Sequence, residues 1–120
     1  MLKLEDLKKQ NDLIYKIDWE MTPEEAVRQY LEWGNNNNTE GKYVIRSKND
    51  VSYYFVVNTW KKTPKIYLVK RNSENAEEIA EFEMPDKIKK NFYAHVGSLK
   101  GVYPVEGQVK SWLKNELEYN

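Results

Sequence analysis

The chain has 120 residues, with 19 Lys and Arg balanced by 19 Asp and Glu. A length of this order suits one domain that buries roughly two-thirds of its extended-chain surface. The absence of cysteine excludes disulfides, thiolate metal sites and a cysteine nucleophile.

The aromatic fraction of 13% is too high for a disordered chain, and nine of these residues are tyrosines. The N-terminus, Met1-Leu2-Lys3-Leu4-Glu5-Asp6, carries charge where a signal peptide needs an apolar stretch. The longest apolar run lies within Tyr53–Val57, too short to span a bilayer. The expectation is a cytoplasmic protein with no membrane contact. Net neutrality hides an asymmetry. Between residues 42 and 71, Lys42, Arg46, Lys48, Lys61, Lys62, Lys65, Lys70 and Arg71 stand against Asp50 alone, a local charge of about +7.

Leu2–Gln10 reads as a short helix with Leu4 and Leu7 on one face, and Leu13–Ile17 as a strand or a packed arm. The clearest local signal is Thr22-Pro23-Glu24-Glu25. Thr22 is a cap, Pro23 suits the first helical position, and Glu25 stands where a capping box needs it. Ala26, Val27, Tyr30 and Leu31 continue at helical spacing as far as Gly34. Asn35–Asn38 form a polar loop.

A run of strands follows. Tyr43–Arg46 is short and β-rich, and Ser47–Asp50 is a turn. Val51–Trp60 carries β-branched and aromatic residues at both parities, which suits a central strand covered on each side. Lys61–Pro64 turns the chain into the alternating strand Lys65–Arg71, and Asn72–Asn75 turns it again. Glu78–Met84 is a fourth strand, although Ile79 and Phe82 break its alternation and suit a helical turn. Short turns between successive strands favour a meander.

The last third is helical. Pro85 opens a segment with Ile88, Phe92 and Val96 in phase, and Gly97 stops it. Gly101 and Pro104 frame a connection. Val105, Val109, Trp112, Leu113 and Leu117 then form an amphipathic stripe, with Gly107 weakening its first turn. The fold expected is α+β. It is a single domain over residues 1–120, in which a three- or four-stranded antiparallel meander packs against a capped N-terminal helix and two C-terminal helices.

No motif assigns a catalytic residue, a metal or a cofactor. His95, the sole histidine, has no partner nucleophile in the sequence and reads as a surface residue near a helix end. Asp12, Asp18 and Glu20 lack the spacing of a calcium loop. Glu81 and Glu83 share a strand parity and could act as acid and base, but pairing with the basic Lys65–Arg71 strand explains them better. Gly97-Ser98-Leu99-Lys100-Gly101 lacks the order of a phosphate cradle and reads as a helix stop and turn.

The functional question therefore rests on the meander. Val51, Tyr53, Phe55 and Val57 point one way, and Tyr54, Val56 and Trp60 the other, joined by Tyr67 and Val69 of the neighbouring strand. Three readings compete for the second face. The N-terminal arm, with Leu13, Tyr15, Ile17 and Trp19, covers it. Alternatively it is a protein interface, a homodimer among the options, built on Tyr54, Trp60 and Tyr67 with Lys61 and Lys62 beside them. Or it stacks single-stranded nucleic acid while Lys61, Lys62, Lys65 and Arg71 meet phosphates.

Ser52-Tyr53-Tyr54-Phe55-Val56-Val57 resembles the aromatic strand of an RNA-recognition sheet, without that motif's glycine spacing. Helix followed by sheet also resembles the cone-shaped NTF2-like folds, which end in strands where this chain ends in helices. The favoured function is a non-catalytic protein-interaction module. The alternative is a ligand-binding protein or enzyme with a helix–sheet pocket near Tyr30, Trp33 and His95.

Overall fold

A computed structural model describes residues 1–34, 51–72 and 76–118. The expected strand Tyr43–Arg46, the loop Asn35–Asn38, the turn Ser47–Asp50, most of the turn Asn72–Asn75 and the Trp33 side chain lie outside the described residues. So do Lys42, Arg46, Lys48 and Asp50 of the basic segment.

Five helices and a four-stranded antiparallel sheet occupy the described residues, in the order α1 (Leu4–Leu7), α2 (Asn11–Tyr15), α3 (Pro23–Gly34), β1 (Ser52–Asn58), β2 (Lys65–Arg71), β3 (Ala76–Phe82), α4 (Asp86–Val96), β4 (Val102–Pro104) and α5 (Gly107–Glu118). The spatial strand order is β3-β2-β1-β4. β1, β2 and β3 form the expected meander, and Phe55 lies opposite Leu68. The sequence reading takes Gly101–Pro104 as a connection. Instead Val102–Pro104 returns to pair with Val56–Asn58, placing β1 inside the sheet.

The broken alternation in β3 has a local cause. A bulge shifts the register between Leu68 and Val69, so Leu68 pairs with Ala80 while Val69 pairs with Glu78. Ile79 is the extra residue, and the segment remains a strand instead of turning helical. The free edge of β3 is engaged by the N-terminus: Leu2 N donates to Ile79 O and Glu81 N donates to Leu2 O, both at 2.9 Å. Covering an edge in this way removes a template for unwanted pairing.

From that edge the N-terminal arm crosses the sheet and reaches β1, where Asp18 N donates to Tyr53 O at 2.8 Å. It crosses the first face. Leu7 and Ile17 are buried there beside Phe55, Val57, Ile66, Leu68, Ala80 and Phe82, with Leu13 and Trp19 packed against them. The arm therefore does not cover the second face, and Tyr15 is exposed. α4 and α5 complete this layer through Phe92, Val109, Leu113 and Leu117. Aromatic contacts run across it, Trp19 to Phe55 at 5.5 Å, Phe55 to Phe82 at 6.2 Å and Phe82 to Trp112 at 6.4 Å.

The second face belongs to α3. Ala26 and Tyr30 pack on Tyr54, Val56, Tyr67, Val69 and Ala76. The helix begins as expected, with Glu25 N donating to Thr22 Oγ1 at 3.2 Å. Its buried arc holds Glu25 and Gln29 beside Ala26 and Tyr30, while Leu31 is exposed. Gln29 Nε2 donates to Glu25 Oε1 at 3.1 Å, which lowers the cost of burying both.

Candidate functional site

The five residues expected to bind a partner fall into two groups. Tyr54 and Tyr67 are 1% and 2% exposed beneath α3, so they are core residues of this chain and offer no surface. A homodimer built face to face on that sheet could not use Tyr54 or Tyr67. Trp60, Lys61 and Lys62 lie in the turn after β1 and are exposed.

The buried tyrosines are held by carboxylates. The Tyr30 hydroxyl donates to Glu78 Oε2 and accepts from Asn58 Nδ2 at 3.1 Å. The Tyr67 hydroxyl reaches Glu81 Oε1 at 3.5 Å. Burial first, then the nearby Glu81 charge, pushes Tyr67 up to about 12. Burial and the Glu78 hydrogen bond push Tyr30 further in the same direction. The expected pairing across β2 and β3 also forms. Lys65 Nζ meets Glu83 Oε2 at 3.0 Å and holds that carboxyl below its ordinary value, and Lys70 lies opposite Glu77. Glu81 and Glu83 are thus each engaged with a β2 residue, the role expected of a ladder pair.

The exposed group is enlarged by a long-range clasp. Thr59, fully buried at the end of β1, donates through its backbone N to Gly101 O at 2.9 Å. Its hydroxyl donates to the same carbonyl at 3.0 Å and accepts from Gly101 N at 2.8 Å. These three bonds hold the β1–β2 turn against the loop that joins α4 to β4. That loop starts at Gly97, whose φ of 77° lies in the left-handed region, with Gly97 N donating to Tyr93 O at 2.8 Å. Tyr103 Oη braces its middle by donating to Leu99 O at 2.7 Å.

The result is one end of the molecule that presents Trp60 at 66% exposure and Leu99 at 77%. Lys61, Lys62 and Lys100 lie on the same two segments and are all exposed. Glu83 and Asp86 are paired with Lys65 and Lys89. Among the described residues no carboxylate forms an ion pair with Lys61, Lys62 or Lys100. Sequence reasoning found the Trp60 turn and missed its partner loop, because Thr59 and Gly101 stand 42 residues apart.

A cleft of about 320 Å³ opens between α4, β4 and the start of α5. Phe92, Val96, Tyr103 and Val109 form its apolar walls, and His95 and Glu106 stand on its lining. His95 is brought here by the last turn of α4, with Nδ1 3.2 Å from Asn91 O. Tyr30, the other residue of the expected helix–sheet pocket, lies on the opposite side of the sheet. Among the described residues no group of three His, Asp or Glu side chains is placed to hold a metal ion, and no helix is long and apolar enough to cross a membrane.

The chain matches no protein-family model, no curated protein and no solved structure.

Proposed function

We propose that this chain is a non-catalytic interaction module that docks an acidic protein segment on its Trp60–Leu99 end. The observation that supports the reading is the Thr59–Gly101 clasp, which ties the turn carrying the exposed Trp60, Lys61 and Lys62 to the loop carrying the exposed Leu99 and Lys100. An exposed tryptophan is costly to leave in water and is the side chain most enriched at interface hot spots. Lysines at the rim steer an acidic partner and set register more than they add affinity. A partner with one or two apolar anchors flanked by Asp or Glu would match both parts of the surface. A single ring beside an aliphatic leucine is no stacking platform for successive bases, which argues for protein over single-stranded nucleic acid.

The test is fluorescence anisotropy with a labelled peptide that alternates glutamate with leucine and phenylalanine. The expected result is saturable binding that weakens with salt, drops at least tenfold in Trp60→Ala and Leu99→Ser, and inverts its charge preference in Lys61→Glu/Lys62→Glu. Tighter binding to an oligothymidylate or to phosphatidylserine vesicles than to the peptide would overturn the reading, as would equal binding by all variants.

A further inference from the structure

We propose that the cleft between α4, β4 and α5 is a second site, which binds a small aromatic amine. It differs from the docking end in chemistry, and Tyr103 touches both, with its ring on the cleft and its hydroxyl on Leu99 O. Its volume of about 320 Å³ stands at the lower limit of small-molecule pockets, which selects a compact ligand. Phe92 and Tyr103 meet edge to face, with ring centroids 5.6 Å apart and planes at 85°, so one ring face and one ring edge are presented at right angles. Val96 and Val109 close the apolar walls. A flat hydrocarbon ring is the shape such walls accept.

The polar groups choose the ligand's charge. Glu106 is the only formally charged side chain on the lining, since neither Lys nor Arg contributes to it. The Asn91 carbonyl can only accept, so its hydrogen bond with His95 puts a proton on Nδ1. In the neutral ring that leaves Nε2 as an acceptor. A carboxylate and an imidazole acceptor beside two aromatic rings suit an ammonium group, through charge-assisted hydrogen bonding and cation–π attraction. The first turn of α5 adds backbone N–H groups at Gly107 and Gln108, which by themselves favour an anion. Glu106 precedes them directly and opposes an anion with like charge.

The experiment is a titration of isotope-labelled protein, followed by NMR, with 2-phenylethylamine, 2-phenylethanol and 3-phenylpropanoate. The amine is expected to shift Phe92, Val96, Tyr103 and Val109 and to bind about tenfold more tightly than the alcohol, the scale of one charge-assisted contact. The carboxylate is expected to bind more weakly than either. Glu106→Gln should remove the amine's advantage and leave the alcohol unchanged. Val96→Trp should block all three compounds. Glu106 is exposed, so Glu106→Gln keeps the test decisive if the Val96 variant fails to fold. Equal or tighter binding of the carboxylate, indifference of the amine to Glu106→Gln, or no shifts around the cleft would each overturn the proposal.

Discussion

The two faces of the sheet are covered by opposite means. The first face is dry: Phe55, Val57, Ile66, Leu68, Ala80 and Phe82 meet apolar side chains from α1, the Ile17 arm, α4 and α5. The second face carries tyrosines, and among the described residues α3 covers it with Ala26 and Tyr30. Its contacts are partly polar, through Tyr30 with Glu78 and Asn58 and through Tyr67 with Glu81. The first layer draws on non-directional burial, which tolerates several packing partners. The second draws on directional bonds that fix where α3 sits, at the cost of half-burying their carboxylate partners.

Leu113→Ala breaks the dry layer and has the largest expected effect. Leu113 is 0% exposed, and truncation should cost about 2–5 kcal/mol in chemical denaturation. A loss within about 0.5 kcal/mol would be a surface value and would contradict its placement. Tyr30→Phe tests the polar layer while keeping the ring. It removes one donor from Glu78 and one acceptor from Asn58, and should cost about 1–2 kcal/mol. Full recovery of that stability in Tyr30→Phe/Glu78→Gln would show the bond with the ionised carboxylate to be unimportant.

The two layers also differ in their response to base. In the unfolded chain a tyrosine loses its proton near pH 10, whereas Tyr67 in the folded chain holds it to about 12. The unfolded state therefore binds fewer protons in that window, and stability must fall as pH rises from about 10 through 12. Denaturation midpoints at pH 9 and pH 11.5 should separate, and Tyr67→Phe should narrow the gap. An unchanged gap would remove Tyr67 from the titration. The smallest effect on stability belongs to the docking end. Trp60→Ala should stay within about 0.5 kcal/mol, because the ring is 66% exposed.

Much of this contrast was legible in the sequence, and the failures have physical reasons. Alternation located β2, and a dense run of β-branched and aromatic residues located β1. The α5 stripe was legible for the same reason at helical period, and Leu113 and Leu117 are buried as expected. β4 was hidden because three residues flanked by glycine and ending in proline carry no strand signal of their own; pairing with β1 creates the strand. The phase of α3 was hidden because Glu25 and Gln29 are polar yet buried, with a hydrogen bond between them inside the helix. The arm was expected on the second face because a strand apolar at both parities needs cover on each side, and that need does not say which element supplies it.

The site was half legible. Trp60, Lys61 and Lys62 stood out as an aromatic and two cations in a turn, but Tyr54 and Tyr67 shared their composition and not their exposure. Leu99 and Lys100 read as ordinary turn residues until the Thr59–Gly101 clasp tied their loop to the Trp60 turn. Parity along a strand tells which residues share a face, and it does not tell which face another element will occupy.

The most direct measurement is an NMR shift map of the labelled chain titrated with the acidic leucine–phenylalanine peptide, because it asks which of the two regions faces a partner. The expected result is a contiguous set of shifts over Trp60–Lys62 and Ser98–Gly101, with Tyr54, Tyr67 and α3 unmoved. Shifts centred on Tyr54, Tyr67 and Ala26, with the Trp60 turn silent, would contradict it and return the partner surface to the second face of the sheet.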